Sequence, residues 1–249
     1  MSASEQENAA ERTNTSLRDG SVSGLLWTIS RTGGMVGLRL LMLVILARLL
    51  TPADFGVMSA ATIVLAFSAM FYQMGVGPAL VQRSEVTADH IRAASSGAII
   101  MSLMFGGAVA LGAPVIASAF DIEGLIPVLR VIAIEFPIKG IAVVPLSLMQ
   151  RELRFRDLAI IDIVSYAIGY GIVGVTMAVF GAGVWALVGA HLTGTVVSAV
   201  LALIKSRYGL RPGFNVTAFR ELMVFGGGFT IARVFNYIAG HGDNFVAAR

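Results

Sequence analysis

The chain has 249 residues, of which 56% are hydrophobic and 13% are charged, and it contains no cysteine. Soluble domains carry roughly 25% charged residues, so a soluble fold of this length could not bury so much apolar surface, and the missing cysteines exclude disulfides and thiolate metal sites. The formal net charge is +3, which is better explained by basic loops that orient membrane helices than by binding to nucleic acid.

Residues 1–16 are polar and include three glutamates. They lack the basic start and short apolar core of a signal peptide, so they predict a disordered cytoplasmic tail. Seven apolar stretches follow, and each has the roughly 20 residues that a helix needs to cross a bilayer. The predicted helices span residues 22–46, 55–75, 93–120, 125–149, 158–179, 184–204 and 222–246. These stretches predict an all-α fold, a polytopic bundle of transmembrane helices.

Basic residues are distributed unequally between the two ends of these helices. The N-terminal tail and the loops after the second, fourth and sixth helices hold Arg12, Arg18, Arg83, Arg92, Arg151, Arg154, Arg156, Lys205, Arg207, Arg211 and Arg220. The opposite side holds Arg48 and Arg130. The positive-inside rule therefore predicts a multi-pass membrane protein with the N-terminus and these three loops in the cytoplasm.

The sequence also contains a short internal likeness. The segment GLLWTISR at residues 24–31 matches GGGFTIAR at residues 226–233 in four of eight positions. Internal repeats are a common transporter architecture, although low-complexity apolar sequences also match by chance. If the repeat is genuine, residues 17–210 form a six-helix lobe, and residues 211–249 begin a second lobe that is cut short after its first helix.

Several ionisable residues lie inside the predicted helices, where they are functional hypotheses by default. Arg31 and Arg39 lie about 80° apart around the first helix, so one broad face can carry both. Guanidinium groups suit phosphate oxygens, which makes Arg31, Arg39 and Arg233 candidate ligands for a substrate phosphate. Structural ion pairing, or snorkelling of these side chains to the membrane surface, is the alternative interpretation.

Acidic residues at membrane depth are candidates for coupling transport to an ion gradient. Asp243 lies near the outer end of the seventh helix, and Glu135 and Lys139 lie four residues apart on the fourth. Glutamate before lysine at this spacing favours an ion pair within the helix, so self-neutralisation is the preferred interpretation for these two residues and ion coupling the alternative. Pro137 lies between them and is expected to kink the helix. His191 in the sixth helix is interpreted as a hydrogen-bonded polar residue rather than a proton carrier.

Seven short segments, in this order along the chain, carry a family resemblance. They read ARLLTPADFG (47–56), MGVGPALVQR (74–83), QRELRF (150–155), GAGVWAL (181–187), RP (211–212), FG (225–226) and DNFVAAR (243–249). Together they resemble the polysaccharide and O-antigen flippase family of the multidrug/oligosaccharidyl-lipid/polysaccharide exporter superfamily. Locally, Thr51 and Pro52 are expected to end one helix, and Asp54 is expected to cap the next through its first amides.

The resemblance implies twelve or more helices in two lobes, around a cavity that opens alternately to each side of the membrane. The implied function is the flipping of an undecaprenyl-pyrophosphate-linked oligosaccharide for lipopolysaccharide or exopolysaccharide biosynthesis, without enzyme activity or a cofactor. Membrane lipids and other polysaccharide export and assembly proteins are the implied partners. Because the predicted helices supply little more than one lobe, the chain is expected to be truncated and not to transport by itself.

Three other functions remain open at this point. A drug/cation antiporter of the same superfamily fits the helices but not the family motifs. A membrane glycosyltransferase or polysaccharide polymerase would need a large extramembrane loop with catalytic groups, and the predicted loops are short. A scaffold in an export complex is favoured if the short chain is the natural product.

Overall fold

The computed structural model describes residues 33–72, 76–82, 85–122, 124–206 and 213. All regular secondary structure among these residues is helical, and five helical spans are long and apolar enough to cross a membrane. The helices are α1 (33–49), α2 (Pro52–Tyr72), α3 (Val76–Gln82), α4 (Ala88–Phe120), α5 (Leu125–Ile132), α6 (Glu135–Arg151), α7 (Phe155–Tyr166), α8 (Val175–Val179) and α9 (Val184–Lys205), with a π-helical segment (Ala167–Gly174) between α7 and α8. The predicted all-α transmembrane bundle is confirmed.

The chain divides into two compact units, Met1–Val44 and Ile45–Arg249. The described part of the first unit, residues 33–44, is a single stretch of helix. The second unit contains the five membrane-length spans. The predicted domain limits at residues 16 and 210 stay predictions, and the predicted seventh helix lies outside the described residues.

Helix α4 begins five residues before its predicted start. Thr87 caps it, with its side chain accepting from the backbone N–H of His90, and the His90 ring bonds back to the backbone N–H of Thr87. The helix has 33 residues, which gives a length of about 50 Å against roughly 30 Å of hydrocarbon. The prediction was wrong here because Asp89, His90 and Arg92 mark this first turn as a loop by composition.

The predicted fourth helix is broken into α5 and α6, as the position of Pro137 led us to expect. In an unbroken helix the carbonyl of Ala133 would accept from residue 137, but proline has no N–H to donate. That carbonyl instead accepts from the N–H of Phe136 at 3.2 Å. The kink is therefore confirmed, and it falls just before the proline, so Glu135 becomes the first residue of α6.

Helix α9 and the π-helical segment pack closely through small residues. A Cβ atom on Gly169 would lie 2.5 Å from the carbonyl oxygen of Ala190, and one on Gly174 would lie 2.9 Å from the Ala190 Cβ. Gly194 of α9 also lies against Gly169. Small residues of this kind let membrane helices approach closely, and here they set the spacing of the two segments.

The main apolar core lies where α2, α4, α5 and α9 meet. Its fully buried members include Leu125, Leu129 and Ile132 of α5. By contrast, Leu111 and Val115 of α4 are 84% and 74% exposed. Large apolar side chains on the outer surface indicate the lipid-facing side of a membrane bundle, so the short helix α5 lies on the inside of the bundle and α4 on its border.

Candidate functional site: a buried polar cluster

Glu135 is the most deeply buried ionisable residue among those that the structure describes, with 2% of its surface exposed. It lies in the first turn of α6, where a negative charge interacts favourably with the helix dipole. A carboxylate at this depth is costly unless it is paired and hydrogen-bonded. Its partners therefore define the candidate site.

Both oxygens of the Glu135 carboxylate are engaged. Lys139, one turn later on α6, forms an ion pair with Oε1. The Nε2 atom of His191 on α9 lies 2.5 Å from Oε2, and a hydrogen bond to an ionised carboxylate is charge-assisted. The hydroxyl of Tyr170 in the π-helical segment lies 3.4 Å from Nδ1 of the same imidazole. We call these four side chains the polar cluster.

The fold explains how the polar cluster forms. The kink before Pro137 places Glu135 at the start of a new helix, and the close contact at Ala190 holds the next residue, His191, against the π-helical segment. Tyr170 also stacks on Tyr166, with ring centroids 4.6 Å apart and an interplanar angle of 19°. Three separate membrane spans thus supply the cluster.

The imidazole bonds indicate one tautomer. A Glu135 carboxylate can only accept, so Nε2 of His191 donates its proton to Oε2. In a neutral ring Nδ1 is then the unprotonated nitrogen, and the Tyr170 hydroxyl donates to it. Nδ1 is therefore a basic nitrogen inside a membrane span. Its partner, the Tyr170 hydroxyl, can either donate or accept a hydrogen bond.

The sequence-predicted site residues meet different outcomes. The ion pair between Glu135 and Lys139 is confirmed, and their role in ion coupling stays a prediction. Arg39 is exposed on α1 within the first compact unit. Arg31, Arg233 and Asp243 lie outside the described residues, so the proposed phosphate site stays a prediction as well.

His191 is the member of the polar cluster whose importance sequence reasoning missed. Its interpretation as a hydrogen-bonded polar residue is confirmed, but neither of its partners was predicted. The available signal was a histidine in a 22-residue apolar helix whose other ionisable residue among Asp, Glu, Lys, Arg and His is the terminal Lys205. The described residues contain no group of three or more His, Cys, Asp or Glu side chains suited to a metal ion.

A second group of polar side chains lies at the last turn of α9. The Asp157 carboxylate accepts from Nζ of Lys205 at 2.7 Å and from the guanidinium of Arg154 at 2.8 Å. Arg154 also donates to the backbone carbonyl of Lys205 at 3.0 Å. Arg151 donates to the carbonyl of Leu80 at 3.0 Å. Several of the predicted cytoplasmic basic residues thus have structural partners.

Two of the sequence motifs meet at Asp54. The N–H and hydroxyl of Thr51 donate to its carboxylate at 2.9 and 2.7 Å, and Thr51 Oγ1 accepts from the Asp54 N–H at 3.3 Å. This is a capping box in which Thr51 is the cap, so the expected capping role of Asp54 is corrected. The same carboxylate lies 3.0 Å from the position that a Cβ on Gly183 would occupy, and Gly183 adopts a φ of +57° before α9.

Residues 45–249 match the model of a family described as polysaccharide biosynthesis protein. The chain belongs to this family. The resemblance carried by the motifs is therefore confirmed, and the chain is a polytopic membrane protein of a polysaccharide biosynthesis family.

Three relatives illustrate the family. The chain is 25% identical to the lipopolysaccharide biosynthesis protein WzxC of Escherichia coli over 94% of its own length and 48% of the relative's. It is 25% identical to the succinoglycan biosynthesis transport protein ExoT of Rhizobium meliloti, over 90% and 45% of the two chains. The teichuronic acid biosynthesis protein TuaB of Bacillus subtilis is 24% identical over 63% and 32%. The chain thus spans about half the length of the first two, and no solved structure matches it.

Proposed function

We propose that this chain takes part in flipping an undecaprenyl-pyrophosphate-linked oligosaccharide across the bacterial inner membrane, for lipopolysaccharide or exopolysaccharide biosynthesis. The observation that carries this proposal is the family match over residues 45–249, together with the five membrane-length helical spans among the described residues. One relative is named as a transport protein for succinoglycan biosynthesis and another as a lipopolysaccharide biosynthesis protein. The proposed role is transport by alternating access rather than catalysis.

The proposed transporter needs cations along the path of the pyrophosphate, because an unpaired charge in a low-dielectric space costs several kcal/mol or more. We assign this role to Arg31, Arg39 and Arg233. Coupling to an ion gradient is assigned to Glu135, Lys139 and Asp243. The support for Glu135 is its burial together with contacts that join two membrane spans.

The short connections between the described spans favour transport over glycosyl transfer. The turns between α4 and α5, α6 and α7, and α8 and α9 each have four residues or fewer. Within the described residues these turns leave no room for an extramembrane catalytic domain of the kind that such enzymes use. The proposed partners are the lipid-linked oligosaccharide, membrane lipids and other polysaccharide export and assembly proteins.

A complementation experiment tests the transport proposal. In a strain that lacks its own polysaccharide flippase, we expect this chain to restore surface polysaccharide when a second six-helix lobe of the family is supplied, and not when it is expressed alone. The physical reason is that a polar oligosaccharide needs a path walled from lipid on all sides. Lipid-linked intermediates that stay in the cytoplasmic leaflet, with both lobes present at normal abundance, would contradict the proposal.

The phosphate site is tested in the same strain. We expect Arg31→Ala, Arg39→Ala and Arg233→Ala each to abolish export at normal abundance, with partial rescue by lysine, which supplies charge without a bidentate fork. Arg130→Ala is the matched control, because Arg130 is exposed on α5. Arg151 and Lys205 are unsuitable controls since both make structural contacts. Normal export by all three alanine variants would reject the site, and loss of abundance would favour structural ion pairing.

A further inference from the structure

We propose that Nδ1 of His191 is a proton-binding site, held in position by Glu135 and Tyr170 and electrostatically opposed by Lys139. Proton binding is a property of this chain's own side chains, whereas its coupling to transport rests on the proposed function. The geometry points to a proton rather than a metal cation. Both Glu135 oxygens already accept from cationic or donor groups, so a metal would have to displace Lys139 or His191, while a proton requires a single lone pair.

The path of the proton follows from the hydrogen bonds. In the neutral state Nε2–H donates to Glu135, and Tyr170 donates its hydroxyl proton to Nδ1. When a proton binds Nδ1, the ring becomes imidazolium and keeps the bond from Nε2 to the carboxylate. The Tyr170 hydroxyl then rotates and accepts from the new Nδ1–H. One proton is gained, no bond between heavy atoms changes, and every polar atom of the ring keeps a partner.

The charges of the polar cluster change in a defined way. Before protonation, Glu135 and Lys139 neutralise each other and the imidazole is uncharged, so the net charge is zero. After protonation the net charge is +1. The proton thus introduces a positive charge within a membrane span. Burial and the neighbouring ammonium disfavour that charge, while the carboxylate that bonds the imidazolium favours it.

His191 is well separated from the charged groups at both ends of α9. It lies about 10 Å along the helix from Val184 and about 21 Å from Lys205. Among the described elements that pack against α9, the remaining charged residues are distant or turned outward. Asp54 lies at its first turn and Asp157 binds Lys205 at its last. Arg151 binds the backbone of α3, and Arg130, Arg156 and Asp162 are exposed. Glu135, Lys139 and Tyr170 are therefore the described groups that control the imidazole.

The experiment is a pH titration of the purified chain in lipid nanodiscs, with ¹⁵N-labelled histidine observed by NMR. The chain has three histidines, and His191→Gln and His90→Gln assign their signals. We expect Nδ1 of His191 to change from an unprotonated to a protonated nitrogen in one step, while Nε2 stays protonated throughout. A His191 ring that stays neutral over the whole range in which the chain remains folded would overturn the proposal.

Two charge variants give shifts of opposite sign. Glu135→Gln removes the favourable charge, so the His191 midpoint should move to lower pH by about 1 to 3 units. Lys139→Met removes the opposing charge, so the midpoint should move to higher pH. His90→Gln and Arg130→Gln should leave it unchanged. Circular dichroism and gel filtration check that each variant is folded. If one variant fails to fold, the direction of the His191 midpoint shift in the other variant still tests the proposal.

Failure of the site and failure of the proposed function are distinguishable. Titration with the expected shifts, but no export activity under any condition, would reject transport and leave the proton site standing. Export that depends on pH in wild type and equally in His191→Gln would show that any coupling proton binds elsewhere. A His191 midpoint that neither charge variant moves would reject the site, whatever the export assay shows.

Discussion

A single buried side chain, Glu135, organises the polar contacts at the centre of the described bundle. A buried ion pair contributes little net stability, because the cost of desolvating both charges offsets much of their attraction. Removing one partner is different, since it leaves an uncompensated charge in a place without water. The two partners of the pair are also not equivalent, because the Lys139 side chain is 43% exposed and the Glu135 side chain 3%.

This difference in exposure predicts unequal effects of removing the two charges. Lys139→Met leaves the carboxylate buried with one donor and should lower the free energy of unfolding by about 3 kcal/mol. Glu135→Gln leaves an ammonium on a long, partly exposed side chain that can extend along the helix toward the membrane surface, and should cost about 1 kcal/mol. Reversible unfolding from mixed micelles measures both values. Equal losses, or a larger loss for Glu135→Gln, would contradict the burial argument.

At the scale of elements, the contact between α9 and the π-helical segment sets the geometry of the polar cluster. A side chain at Gly169 would meet the backbone of Ala190 and Gly194, which cannot rotate away. His191 directly follows Ala190, and Tyr170 directly follows Gly169. Any increase in the distance between the two segments is therefore transmitted to the hydrogen bond between Tyr170 and His191.

Gly169→Ala tests this coupling between packing and site. The added methyl group should lower the free energy of unfolding by about 1 to 3 kcal/mol through overpacking. It should also weaken the hydrogen bond from Tyr170, which is visible as a change in the His191 ring signals. Gly107→Ala on α4 is the matched control, because nothing lies within 4 Å of its added Cβ. Unchanged ring signals in a destabilised Gly169→Ala variant would contradict the prediction, because they would show that the packing of α9 does not control the geometry of the polar cluster.

The elements also show what the sequence could and could not predict. The spans were predictable because lipid imposes long apolar runs, and the kink was predictable because Pro137 lacks an N–H. The first turn of α4 was missed because Asp89, His90 and Arg92 resemble a loop by composition, and because its capping box has a histidine where glutamate or glutamine is usual. The bond between Glu135 and His191 joins residues 56 positions apart, and it depends on the close approach of helices that no local pattern encodes.

At the scale of the whole second unit, side-chain contacts sort the helix ends into two groups. Arg151 at the end of α6 binds the backbone of α3, and Asp157 at the start of α7 binds Lys205 at the end of α9. The start of α9 lies instead against Asp54 in the first turn of α2. Because α9 runs from one group to the other, these contacts place the ends of α6 and α9 opposite the start of α2.

This arrangement sharpens the topology prediction. The positive-inside rule assigns the end with Arg151, Arg154, Arg156 and Lys205 to the cytoplasm, so the Asp54 end and the turn after α4 should be periplasmic. Reporter fusions after residues 84, 153 and 206 should therefore read cytoplasmic, and fusions after residues 53 and 122 should read periplasmic. The contacts hold Leu80, Arg151, Asp157 and Lys205 at one end of the bundle. A split assignment among the first three fusions would therefore contradict the fold itself. A uniform reversal of all five would leave the fold intact and reject the charge rule for this chain.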